Sequence, residues 1–110
     1  MLKTTKKVDN ETNISFASPY HQLIRKTTFS SSKRYHKFIN WVSGEFDLYL
    51  QDESNGLHVF FPEGKFHIKS DTENDTPVIA EIHLKSKVLQ KGIDKIDEIM
   101  SVYNSVAKIS

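Results

Sequence analysis

Three histidines and two carboxylates alternate along the middle of this 110-residue chain in a way that would bring them to one face of a sheet. In the run from Glu45 to Lys85, the apolar residues Leu57, Val59, Phe61, Phe66, Ile68, Val78, Ala80, Ile82 and Leu84 occupy every second position. That leaves Asp47, Tyr49, His58, Phe60, His67, Lys69, Ile79, Glu81 and His83 on the opposite side. Imidazole and carboxylate groups suit acid–base work near neutral pH, and His58, His67 and His83 are the candidate metal ligands. A solvated sheet face carries the same residue types, because antiparallel sheets commonly leave one side wet. A four-residue connection, Pro62-Glu63-Gly64-Lys65, would oppose Phe61 to Phe66, pairing His58 with Lys69 and His67 with Phe60.

Asp75, Glu81, His83 and Lys85 support an enzymatic reading. Val78-Ile79-Ala80-Glu81-Ile82-His83, with an acid before it, resembles in outline the restriction-endonuclease-like class of metal-dependent nucleases, which places an acid ahead of a strand ending in Glu-x-Lys. The resemblance spans about a dozen residues and implies a metal-dependent nuclease or hydrolase. Here His83 stands where that class has lysine, and no further strand is predicted after the following helix.

Positively charged residues gather elsewhere. Residues 12 to 44 hold Arg25, Lys26, Lys33, Arg34 and Lys37 and no acid, whereas residues 45 to 81 hold nine acids against Lys65 and Lys69. The overall charge of +1 conceals this division. Segregated charge bears on partners and not on fold. With Ser32 at a helix start, these basic residues form a candidate anion or nucleic-acid site across 19 to 40. Opposite signs on two segments also suit a homodimer.

The elements that must position these groups follow from spacing. Residues 1 to 13 are polar and aperiodic and are expected to form a flexible arm ahead of a single α+β domain over 14 to 110. Ser18-Pro19, followed by Tyr20, Leu23, Ile24 and Thr27, predicts a helix at about 19 to 27, with a strand as the competing reading. Ser30-Ser31-Ser32, then Tyr35, Phe38, Ile39 and Val42, predicts a second helix at 32 to 43 stopped by Gly44. Trp41 lies beside that stripe, where edge packing is expected. Phe46, Leu48 and Leu50 alternate as a first strand, and three more strands follow. Ile93, Ile96, Ile99, Met100, Tyr103 and Val106 mark a C-terminal helix that covers the apolar face. The expected fold is thus α+β: N-terminal helices, a four-stranded antiparallel meander and a C-terminal amphipathic helix.

The absence of cysteine excludes disulfides and cysteine metal sites. No apolar run approaches the roughly 20 residues of a membrane helix, and the N-terminus has no apolar stretch behind its lysines. A soluble cytoplasmic protein without cofactor is expected, in which the sequons at Asn10, Asn13 and Asn74 carry no glycan. With no cofactor loop or complete catalytic set visible, the leading expectation is a non-catalytic protein-interaction module of the accessory, inhibitor or immunity type. Nucleic-acid binding through 19 to 40 is the alternative.

Overall fold

Ser18-Pro19 turns the chain back on itself instead of starting a helix. The computed structural model describes residues 11–72 and 74–109. In it Ser18-Pro19 joins two paired strands, β1 (Thr12–Ala17) and β2 (Tyr20–Phe29), through a cis peptide bond. A spacing of four is common to helical and strand periods, so Tyr20/Ile24 and Leu23/Thr27 fit both. In the strand these two pairs lie on opposite faces, and the β-branched Ile24, Thr27 and Thr28 favour the extended form. The expected helix at 19 to 27 is therefore a strand. The expected arm at 1 to 13 lies mostly outside the described residues, and Thr12 and Asn13 open β1.

After β2 come α1 (Ser32–Glu45), β3 (Leu50–Asp52), β4 (Leu57–Phe61), β5 (Gly64–Ser70), β6 (Val78–Ser86) and α2 (Leu89–Ile109). The strands form one sheet in the order β1-β2-β6-β5-β4-β3, with every neighbouring pair antiparallel. The sheet has six strands, not four, and the described chain begins with strands, not helices. The N-terminal hairpin adds itself to β6, the last strand of the meander.

The second helix forms where its sequence predicts, although Gly44 does not stop it. Ser31 is extended, and its hydroxyl accepts the Arg34 N–H at 3.3 Å. At the other end the helix runs through Gly44 to Glu45. There the Gln51 side-chain amide donates to the carbonyls of Ser43 (2.9 Å) and Phe46 (2.8 Å), while Ser43 Oγ donates to Gln51 Oε1 at 2.6 Å. One β3 residue thereby satisfies carbonyl groups that a helix end leaves open. Phe46 to Tyr49 is consequently a turn and not the start of a strand. Phe46 is buried, Tyr49 packs against the core, and Leu48 and Leu50 stand 94% and 74% exposed.

The β4–β5 connection is shorter than patterning suggested. Pro62-Glu63 alone makes the turn, so Phe61 opposes Gly64, Val59 opposes Phe66 and Leu57 opposes Ile68. Two- and four-residue loops preserve the same inward face, so alternation cannot distinguish them. Gly64 belongs to the strand because its backbone lies against the Lys85 carbonyl, where a Cβ would collide.

Both helices pack on one side of the sheet. Phe38 and Val42 of α1 and Ile96, Ile99, Val102 and Val106 of α2 meet Leu23, Phe66, Ile68, Ala80, Ile82 and Leu84 in one core. Gly92 lets α2 approach closely, since a Cβ there would stand 3.1 Å from both Leu23 and Leu84 methyls. Phe29, Phe38 and Tyr103 form a ring cluster with centroids 5.1 to 5.9 Å apart, and the Tyr103 hydroxyl donates to the Thr28 carbonyl at 2.7 Å. Trp41, expected at a packed edge, is 41% exposed beside Glu98 and Val102 of α2.

Two substitutions test this account. Gly64→Ala should destabilise by about 2 kcal/mol or more, because the backbones of β5 and β6 must separate to admit a methyl. An unchanged urea midpoint would contradict that register. Thr27 is buried and its hydroxyl has no hydrogen-bond partner among the described residues. Thr27→Val should therefore raise stability, by about 1 kcal/mol, in the same measurement.

Candidate functional site

The side chains that point away from the helices define an open sheet face, and register arranges them in rows across the strands. One row runs Ile24, His83, His67, His58, Asp52; a second runs Gln22, Lys85, Lys65, Phe60, Leu50; a third runs Lys26, Glu81, Lys69. The expected pairings of His58 with Lys69 and His67 with Phe60 do not occur. The shorter turn puts His58 directly opposite His67, and β6 puts His83 on its other side. Ring centroids are 5.0 Å apart in both steps, with interplanar angles of 24° and 7°.

Stacking decides what these rings can do. An imidazole binds metal through a lone pair in its own plane, and three rings facing one another send those lone pairs out side by side instead of to a common point. Among the described residues no group of three or more His, Asp or Glu is placed to hold a metal ion. His58 Nε2 donates to the Asn55 carbonyl at 3.0 Å, and His83 Nε2 donates to Glu81 Oε1 at 2.7 Å. Glu81 is held ionised: the His83 hydrogen bond is the main cause that lowers its pKa, with Lys26 and Lys69 adding to it. Lys26 Nζ lies 4.0 Å from its other oxygen.

His67 sits between two other rings. Burial, then the neighbouring His83, His58, Lys69 and Lys65, pushes its pKa down from 6.5 to about 4. The central imidazole is therefore neutral at pH 7. Its ring has no hydrogen-bond partner among the described residues.

The enzymatic residues are not assembled. Glu81 and His83 share the open face with Lys85, but Asp75 lies exposed in the β5–β6 loop, where its N–H bonds the Thr72 carbonyl at 2.9 Å. No hydrogen bond or ion pair among the described residues joins Asp75 to Glu81. The expected anion-binding set is divided as well. Arg25 faces the helix side, with Thr12 at 3.4 Å and Glu11 at 3.5 Å, whereas Lys26 faces the open side. Ser32, Lys33, Arg34 and Lys37 belong to α1.

The acids of residues 45 to 81 do not make an acidic sheet. Glu45 ends α1 and Asp47 follows it, and Glu53, Glu63, Asp71 and Asp75 lie in connections; among the described acids of this stretch only Asp52 and Glu81 reach the open face, against Lys26, Lys65, Lys69 and Lys85. Segregation along the sequence thus becomes a cationic face with acidic loops around it. Lys65 and Lys85, absent from the expected set of anion ligands, are its centre. The signal for them was the even spacing that places Lys65 two residues before His67 and Lys85 two after His83.

Fold and face together define an α+β protein with one helix-covered and one open side to its antiparallel sheet. No protein-family model and no curated protein matches the chain, so the functional reading rests on this geometry. No helix among the described residues is long and apolar enough to cross a membrane.

The His67 shift has a pH consequence. Its folded-state pKa lies below the unfolded value, so the folded state binds the proton less well, and stability present above pH 6.5 is lost as pH falls towards about 4. His67→Gln should lose less stability than the native chain between neutral pH and about pH 4.5 in urea titrations. Equal losses would place the acid sensitivity elsewhere.

Proposed function

We propose that this chain is a small non-catalytic interaction module that docks an acidic protein surface on its open sheet face. The observation that carries the reading is the direct cross-strand opposition of Lys65 and Lys85 beside the stacked histidine row. Like charges directly opposite each other disfavour pairing, and a partner's carboxylates would relieve them. Apolar contact is available around the cations: Leu50, Phe60 and Ile79 on this face are 74%, 37% and 43% exposed. An interface needs such desolvated contact for affinity and complementary charge for selection.

A compact acidic protein patch fits this face better than a nucleic-acid strand. Glu81 interrupts the row between Lys26 and Lys69, and Glu63 and Asp71 lie at the ends of β5, so a polyanion crossing the sheet meets carboxylates along its path. Pairing of an acidic sheet with basic helices, the basis for a homodimer, loses its charge argument because the sheet face is cationic.

The test compares charge reversals on two surfaces. Immobilised native chain, incubated with extract from its own cells, should retain a partner whose cross-linked peptides are rich in Asp and Glu. Lys65→Glu with Lys85→Glu should weaken that binding by about tenfold or more, while Lys33→Glu with Arg34→Glu on α1 leaves it intact. Retention abolished by nuclease, or lost only with the α1 pair, would overturn the proposal in favour of nucleic acid or of the helical surface.

A further inference from the structure

Lys65 and Lys85 oppose each other in register but lean apart. Lys65 Nζ rests over the Phe60 ring at 5.9 Å, and Lys85 Nζ rests over the Tyr20 ring at 5.9 Å, each a cation–π contact on the far side of its own strand. A depression of ≈ 140 Å³ lies here, lined by Gln22, Ile24, His67, His83 and both lysines. Water occupies about 30 Å³ per molecule in the liquid, so this space suits an ion of a few heavy atoms. Four polar side chains around it can donate a hydrogen bond, two ammonium groups, the Gln22 amide and the His67 N–H, while the His83 Nε2 N–H is given to Glu81. The nearest carboxylate on the face, Glu81, is already taken up by His83 and Lys26.

We infer that this depression is a binding site for a small oxyanion, a carboxylate or a phosphate, clasped between Lys65 and Lys85 with Gln22 and His67 beneath it. Charge-assisted hydrogen bonds from two ammonium groups supply the attraction, and the anion replaces their mutual repulsion with a bridge. The unpartnered His67 ring gains an acceptor for its N–H. The groups that face His67 are His58 from β4, Lys65 and Lys69 on its own strand, and His83 from β6, all neutral or positive. An anion in the depression opposes the effect of all of them, so binding and proton uptake by His67 are linked, and His67 titrates at higher pH when the site is filled. The site stands on its own geometry and does not depend on the docking of a protein over it.

Histidine-ring NMR spectra of the full chain, titrated with inorganic phosphate or with acetate against chloride at equal ionic strength, test the site. Saturable shifts at His67 and His83 with either oxyanion, absent with chloride, are expected, together with an upward move of the His67 titration. Saturation by phosphate alone identifies a phosphorylated ligand, and comparable saturation by acetate identifies a carboxylate. Lys85→Gln and Lys65→Gln should each weaken binding by about tenfold, and two variants guard against one that fails to fold. Shifts that do not saturate, that chloride reproduces, or that survive both substitutions overturn the inference. Small anions need no protein partner, so saturable binding without a captured protein would keep this site and remove the docking proposal, and the converse result would do the opposite.

Discussion

The pairing of β2 with β6 is the constraint on which the rest of the structure depends. It joins His21 to Ser86 at one end and Phe29 to Val78 at the other, bringing the N-terminal hairpin onto the strand that closes the meander. Without it β6 would be an edge, and the apolar residues Leu23 and Phe29 would have no sheet to extend. The pairing spans some fifty to sixty-five residues of intervening chain, so it rests on tertiary burial and not on a local turn. It also sets the width of the surface that α1 and α2 must cover, which explains why two helices share one side. Tyr103 closes the arrangement by bonding the Thr28 backbone from α2, next to the rings of Phe29 and Phe38.

Central placement of β6 has an electrostatic result. Its outward residues Glu81, His83 and Lys85 each acquire partners on two sides: Lys26 and Lys69 for Glu81, Ile24 and His67 for His83, Gln22 and Lys65 for Lys85. Glu81 therefore sits among cations and holds His83, while Lys85 meets another lysine. The histidine row stays compatible with this charge because its central ring, His67, remains neutral, and the stacked rings occupy the strip between Lys65 and Lys85 on one side and Lys26 and Lys69 on the other. The character of this face is set more by what surrounds each group than by the number of basic residues.

Close backbone approach matters as much as side-chain packing. Gly64 and Gly92 have ordinary backbone angles and serve by lacking a Cβ, the first where β5 meets the Lys85 carbonyl and the second where α2 lies on Leu23 and Leu84. Gly56 combines two demands, since its φ of 82° calls for a residue tolerant of the left-handed region in the turn before β4 and a Cβ there would stand 2.5 Å from the Ile68 carbonyl oxygen. These contacts fix the registers on which the histidine row and the lysine pair depend.

Residue types and periodicity by themselves determined the C-terminal helix, the second helix with its cap within Ser30-Ser31-Ser32, the inward faces of β4, β5 and β6, and the presence of His58, His67, Glu81 and His83 on one side. Each follows from a local period that a single element expresses. Val102, outside the stripe read from sequence, completed the α2 face only when the helix was seen against the sheet. The strand at 20 to 29 was hidden because residues four apart share a face in both periods, and its stabilising partner lies far along the chain. The length of the β4–β5 turn was hidden because loops differing by two residues keep the same alternation. Only tertiary structure could decide these two points, since backbone pairing and the space at Gly64 select the register where hydrophobic pattern is indifferent. On that choice rest the stacking of His58, His67 and His83 and the opposition of Lys65 to Lys85, which turn one side of a sheet into a candidate site.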